Sequence, residues 1–176
     1  MKKILIIVPT YNEKNNIKLL IKKINLYIKN YSLLFIDDNS PDGTKIEIQN
    51  FIKKNKNIYL INRKKRLGVG SAHKYGMRWA YKKKFKIIIT MDCDGTHNPI
   101  NIPKMLKKLD NSDLITTNRF LNKNSLSDWT YYRKFLTHLR HFVIKFFLNM
   151  PLDSSGAFRC YKSMNIKLSD ILLAKD

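Results

Sequence analysis

The residues best suited to chemistry are Asp92-Cys93-Asp94. In extended backbone, alternate side chains share a face, so both carboxylates point into one site while Cys93 points away. Two clustered carboxylates repel unless a cation lies between them or one keeps its proton. A hard divalent ion, Mg2+ or Mn2+, resolves that conflict and typically binds through one or two carboxylates plus substrate phosphates. Two further polar clusters, Pro9-Thr10-Tyr11-Asn12-Glu13 and Asp37–Thr44, also follow apolar runs, and the aspartates continue into Gly95-Thr96-His97-Asn98-Pro99. For Asp42 and Asn98, helix N-capping is the competing use of the same side chains. Gly68-Val69-Gly70 precedes a helical pattern and could hold phosphate on backbone N–H groups. The third glycine of a dinucleotide fingerprint is missing, His73 standing in its place, and there is no P-loop motif. The histidines His73, His97, His138 and His141 form no metal-ligand constellation. His97 is near enough in sequence to orient the carboxylates, and His138 and His141 read as surface groups.

These clusters need a frame that brings them together. Short apolar runs at 3–8, 33–36, 58–61, 87–91 and 114–117 read as strands covered on both faces. Amphipathic segments at 15–30, 43–54, 71–84 and 102–109 read as the helices between them. The alternation predicts an α/β fold: a mostly parallel sheet with helices on both faces. In such sheets ligands bind outside the carboxyl ends of the strands, where all three clusters fall. We expect one domain over 1–176, with an α/β core at 1–118 and a second part at 119–176. In that part Tyr132, Leu136, Leu139, Val143, Phe146 and Met150 lie on one stripe of a helix expected over 129–150. Arg133, Lys134, Arg140 and Lys145 lie off the stripe. Such a helix could pack on the sheet, lie on a membrane surface or meet a partner helix.

The chain has 176 residues and a formal net charge of +21. The lysines are scattered rather than blocked, and no nucleic-acid-reading motif appears, so a nucleic acid is not the expected partner. An anionic membrane surface is favoured by any strongly basic chain. Cys93 and Cys160 form no CxxC pair, which fits a reducing compartment and a cytoplasmic location. The apolar start is too short for a signal peptide and reads as a buried strand. No run reaches the ~18 apolar residues of a membrane span.

In order along the chain, Val8–Glu13, Ile36–Thr44, Arg66–Ala72, Met91–Asp94 with His97-Asn98-Pro99, Asn118-Arg119-Phe120 and Ser155–Tyr161 resemble family 2 glycosyltransferases of the GT-A fold. The Ser-Pro-Asp-Gly-Thr stretch at 40–44 is most similar to the dolichyl- or polyprenyl-phosphate mannosyltransferase branch. The resemblance implies that Pro9, Tyr11 and Glu13 contact the nucleoside, that Ile36 flanks the base and that Asp38 hydrogen-bonds it. It implies that Asp92 and Cys93 line the nucleotide-sugar site, Cys93 through its backbone. Asp94 would be the main metal ligand, Thr96 a further one, and Arg119 and Arg133 would meet phosphate. Ser155, Gly156 and Arg159 would shape the acceptor side. Asp92, Asp94 and Arg119 would be catalytic.

Gly95-Thr96 and Cys93 depart from the family pattern, and the family continues for another helix, strand and basic stretch beyond the segment around Arg159. The implied reaction is metal-dependent, inverting transfer of a hexose to a polyprenyl phosphate, with mannose from GDP-mannose favoured and glucose from UDP-glucose the competitor. The enzyme would work peripherally on the cytoplasmic membrane face. A saccharide acceptor would require a carboxylate base, for which Asp128 and Asp153 are the remaining candidates. A degenerate binding module and a nucleotidyltransferase are the alternatives.

Overall fold

A computed structural model describes residues 3–118, 130–148 and 156–173. Its contacts gather the chain into two compact units, Met1–Ile115 with Phe158–Asp176, and Thr116–Ala157. The elements are β1 (Ile4–Thr10), α1 (Lys14–Tyr27), β2 (Tyr31–Asp37), α2 (Thr44–Lys54), β3 (Ile58–Asn62), α3 (Val69–Lys82), β4 (Ile87–Thr90), α4 (Ile102–Lys108), β5 (Leu114–Thr116), α5 (Tyr131–Leu148), β6 (Arg159–Lys162) and α6 (Leu168–Leu173).

The six strands run in the order β3-β2-β1-β4-β6-β5. β1 pairs in parallel with β2 and β4, and β2 with β3, with Ile4 level with Tyr31 and Ile87. The expected strands and helices are all present. What the sequence did not reveal is β6, which enters antiparallel beside β4 with Thr90 opposite Arg159. Both faces of the sheet are covered, as the unbroken apolar strands required. Ile6, Val8, Leu33, Phe35 and Ile89 pack with Ile17, Ile21 and Ile24 of α1, Ile48 of α2 and Met105 of α4. Leu5, Ile7, Leu34, Ile36 and Ile88 pack with Ala72, Met77 and Ala80 of α3, joined by Leu168 and Ile171 of α6. α3 comes closest at Gly76, where an added Cβ would lie 2.7 Å from Ile7 Cγ2 and 2.9 Å from Ile36 Cδ1.

α5 shows the expected periodicity, and most of its apolar residues are exposed. Tyr131 is 91% exposed, Phe146 71% and Phe147 73%, and Leu136, Leu139 and Val143 are exposed too. The Phe142 and Phe146 rings stack at 6.0 Å, and Phe147 meets Phe146 edge-on at 5.2 Å. Met150 and the side chains of Arg133, Lys134 and Lys145 lie outside what the structure describes. Among the described residues, no helix is long and apolar enough to cross a membrane.

Candidate active site

The turn after β1 is tied to the turn after β2. Asp37 is fully buried and accepts hydrogen bonds from Thr10 Oγ1 (3.0 Å), Ser40 N (2.9 Å) and Ser40 Oγ (2.6 Å). Asn12, with a positive φ of 60°, donates its N–H to Ser40 Oγ at 3.0 Å. Asp42 joins two helix starts. It accepts from Lys14 N at the head of α1, and from Thr44 N and Oγ1 at the head of α2. Thr44 Oγ1 in turn accepts from Glu13 N at 2.9 Å. Asn98 accepts from Ile100 N. Capping is therefore what the side chains of Asp42 and Asn98 do here.

Asp38 is 5% exposed and forms a buried ion pair with Arg63, itself 7% exposed. Its other oxygen accepts from Leu67 N and Gly68 N, both at 2.9 Å. Arg63 donates further to Ser71 Oγ (2.8 Å) and Gly68 O (2.9 Å). The Asp38 carboxylate thus fixes the glycine loop ahead of α3. Ile36 likewise faces the core and is fully buried. Sequence reasoning missed Arg63, although its place directly after a parallel neighbour of the strand bearing Asp37 was a usable signal. On the same loop, Arg66 places its guanidinium 4.2 Å above the ring of half-buried Tyr11.

The turn after β4 carries the acidic pair. Cys93 is buried in the core, so only its backbone can serve the site. Burial pushes its thiol pKa up, and the negative charges of Glu13, Asp94 and Asp92 push it further. Asp92 is half-buried and Asp94 exposed. Asp94 Oδ1 accepts from Thr96 N (3.0 Å) and Thr96 Oγ1 (2.6 Å), so Thr96 orients the carboxylate. His97 stacks on Phe158 at 5.2 Å, and its Nδ1 accepts from Asp92 N at 2.8 Å. In the neutral ring, that bond places the proton on Nε2. His97 thus holds the turn in shape, as its position suggested.

Glu13 brings the first and third clusters together electrostatically. Its pKa is raised by burial above all, then by the charges of Asp94, Asp42 and Asp92, against the lowering effect of a 2.6 Å hydrogen bond from Asn16. Glu13, Asp92 and Asp94 thus concentrate negative charge at this edge, which a cation would relieve. Among the described residues, no group of three or more His, Cys, Asp or Glu is close enough to hold a metal ion alone. Asp92 and Asp94 could supply a hard cation with one or two carboxylates, the rest of its shell coming from substrate phosphate and water.

Pro9 is half-buried at this edge, and so is Arg159. Gly156 is buried and belongs to the other compact unit. Arg119, Ser155, Asp128 and Asp153 lie outside the described residues, as does the side chain of Arg133.

Comparison with known proteins identifies the family. A family model described as glycosyl transferase family 2 matches residues 5–170. Undecaprenyl-phosphate mannosyltransferase of Micrococcus luteus is 25% identical over 170 residues, covering 96% of this chain and 70% of that protein. Polyprenol monophosphomannose synthase of Mycolicibacterium smegmatis is also 25% identical over 170 residues, covering 95% of this chain and 64% of that protein. Among solved structures, glucosyl-3-phosphoglycerate synthase from Mycobacterium tuberculosis, in complex with Mn2+, UDP and glucosyl-3-phosphoglycerate, superposes with a TM-score of 0.59 at 17% identity over 92% of this chain and 57% of that one. A mannosyltransferase from Pyrobaculum calidifontis, in complex with GDP-Man and Mn2+, gives a TM-score of 0.55 at 20% identity over 70% of this chain and 38% of that one. These two likenesses speak to the fold alone. With the family model spanning almost the whole length and the strand-end clusters in place, the chain belongs to glycosyl transferase family 2.

Proposed function

We propose that the protein transfers a hexose, mannose from GDP-mannose, to a polyprenyl phosphate with inversion at the anomeric carbon. One observation carries the proposal: two relatives that align over at least 95% of the chain are named for polyprenol-phosphate mannosyl transfer. The chemistry of the site supports it. A lipid phosphate is anionic at neutral pH, so its attack on the anomeric carbon needs no strong general base, and positioning does the remaining work.

Pro9, Tyr11 and Glu13 would contact the nucleoside, with Ile36 flanking the base and Asp38 hydrogen-bonding it while also holding the glycine loop. Asp94 and Asp92 would hold Mg2+ or Mn2+, with Thr96 fixing the carboxylate. When bound, such an ion neutralises charge on the leaving diphosphate. Arg119 and Arg133 would meet phosphate, and Ser155, Gly156 and Arg159 would shape the acceptor side. The exposed aromatic face of α5, on a chain of net charge +21, suits the surface of an anionic membrane and a peripheral position on its cytoplasmic face.

The test is transfer of radiolabelled sugar from GDP-mannose into organic-extractable lipid, with polyprenyl phosphate and Mn2+ or Mg2+ present. UDP-glucose runs in parallel. Metal-dependent labelling from GDP-mannose, reduced roughly 10²–10³-fold in Asp94→Ala, is expected. Labelling from UDP-glucose alone would reassign the donor, and no labelling from either would overturn the reaction.

A further inference from the structure

The acidic turn is closed by a side chain. β4 ends at Thr90, which stands opposite Arg159 across the β4–β6 ladder. Met91 N still donates to Ile7 O at 3.1 Å. Asp92 N, the next donor, goes to a side chain instead, and His97 Nδ1 accepts it at 2.8 Å. Between these two residues Gly95 turns the chain at φ 84°, and Thr96 donates twice to Asp94 Oδ1. The turn over 92–97 thus has its tip set by Thr96 and its base by His97.

The ring of His97 has a second neighbour. Its face stacks on Phe158, with centroids 5.2 Å apart and planes 21° from parallel. Phe158 is 1% exposed and belongs to the same core as Met91 and Cys93. It directly precedes Arg159, the first residue of β6. The edge and the face of one imidazole therefore serve different parts of the site. The in-plane nitrogen holds the turn that carries the acidic pair, and the face holds the entry to β6. That double use calls for an aromatic ring with an acceptor in its plane. Asparagine offers an acceptor at the same place along its side chain and no ring, and phenylalanine offers the ring and no acceptor.

We propose that His97 is a positioning residue with two separable duties, a role that rests on the transfer reaction proposed above. Through Nδ1 it fixes the Asp92 backbone, and with it the direction in which Asp92 and Asp94 meet metal and diphosphate. Through its face it fixes Phe158, and so the placement of Arg159 on the side where the lipid phosphate arrives. The acidic pair follows β4 and Arg159 opens β6, and the one ring reaches both. It thereby keeps the donor and acceptor sides in register without touching either substrate. Losing a group that orients metal-binding side chains typically changes metal affinity about 10–100-fold.

Three variants of the full chain separate the duties. His97→Phe keeps the ring and loses the acceptor, His97→Asn keeps an acceptor and loses the ring, and Phe158→Leu removes the other half of the stack. Amide hydrogen exchange without metal reads each joint directly. His97→Phe should speed exchange over residues 91–97 and leave 158–162 as in the parent. His97→Asn and Phe158→Leu should do the reverse. Mn2+ binding in the presence of GDP, read from the electron paramagnetic resonance of free Mn2+, should weaken roughly 10–100-fold in His97→Phe and return close to the parent in His97→Asn. With farnesyl phosphate as acceptor, His97→Asn and Phe158→Leu should raise the KM for the lipid more than that for GDP-mannose. If His97→Phe and His97→Asn disturb the same segment, or both bind Mn2+ and GDP as the parent does, the role of His97 falls and the transfer reaction stands. An unchanged KM for the lipid in His97→Asn and Phe158→Leu would remove the acceptor-side duty. If exchange and Mn2+ binding follow the expected pattern while the parent transfers no mannose, the reaction falls and the donor-side duty stands.

Discussion

Arg63 and Asp38 form an ion pair that is almost fully buried. Removing one partner leaves the other as a buried unpaired charge, which typically costs about 3–5 kcal/mol. Arg63→Met should therefore destabilise the protein by that order in urea unfolding. Asp38→Asn should show the same dependence, and the double variant should cost less than the sum of the two singles. The Asp37-Asp38 pair shows how far side-chain function is legible in a sequence. Two acids after an apolar run announce a strand end, and that was readable. Which acid turns to the core is decided by partners from other strands. Asp37 meets Thr10, seven-residue β1 having brought it level in the ladder, and Asp38 meets a residue just past β3. The capping of α2 by Asp42 and the capping by Asn98 were readable because those partners lie two residues away, whereas the bond from Lys14 to Asp42 was not. Arg63 was not readable either, because its neighbours come from elsewhere in the chain.

Among the elements, α3 carries the tightest constraint. Gly76 in a helix interior is about 1 kcal/mol worse than alanine on propensity alone. An added Cβ would overlap two fully buried isoleucines, however, and overpacking costs about 1–3 kcal/mol. The second effect wins, so Gly76→Ala should lower the thermal midpoint despite its better helix former. The long helices were legible from their period, with errors at the ends. α1 stops at Tyr27, before the expected residue 30, because Ile28 is already extended and Asn30 adopts φ 57°. β6 was not legible. Its four residues carry no local period, and only their place beside β4 makes Cys160 and Tyr161 core residues on opposite faces.

For the whole molecule, charge and exposed aromatics act together. A net charge of +21 should bring the protein to anionic vesicles with an affinity that falls as salt rises. The aromatic face of α5 should supply a remainder that salt does not remove. In a sedimentation assay, Phe146→Ser with Phe147→Ser should abolish the salt-resistant fraction and leave the low-salt binding largely intact. If the double variant sediments like the parent at high salt, α5 is not the contact.

The place of β6 in the sheet also sets an order of assembly. β1 to β4 are neighbours through contacts that are complete once residue 90 exists, so those four strands can pair early in synthesis. β5 has β6 as its neighbour and must wait until residues 159–162 have been made. During that interval, the free edge of β4 is an open template for pairing with another chain. The distance in sequence between β4 and β6 is thus a window of vulnerability during synthesis, closed only when the last strand arrives.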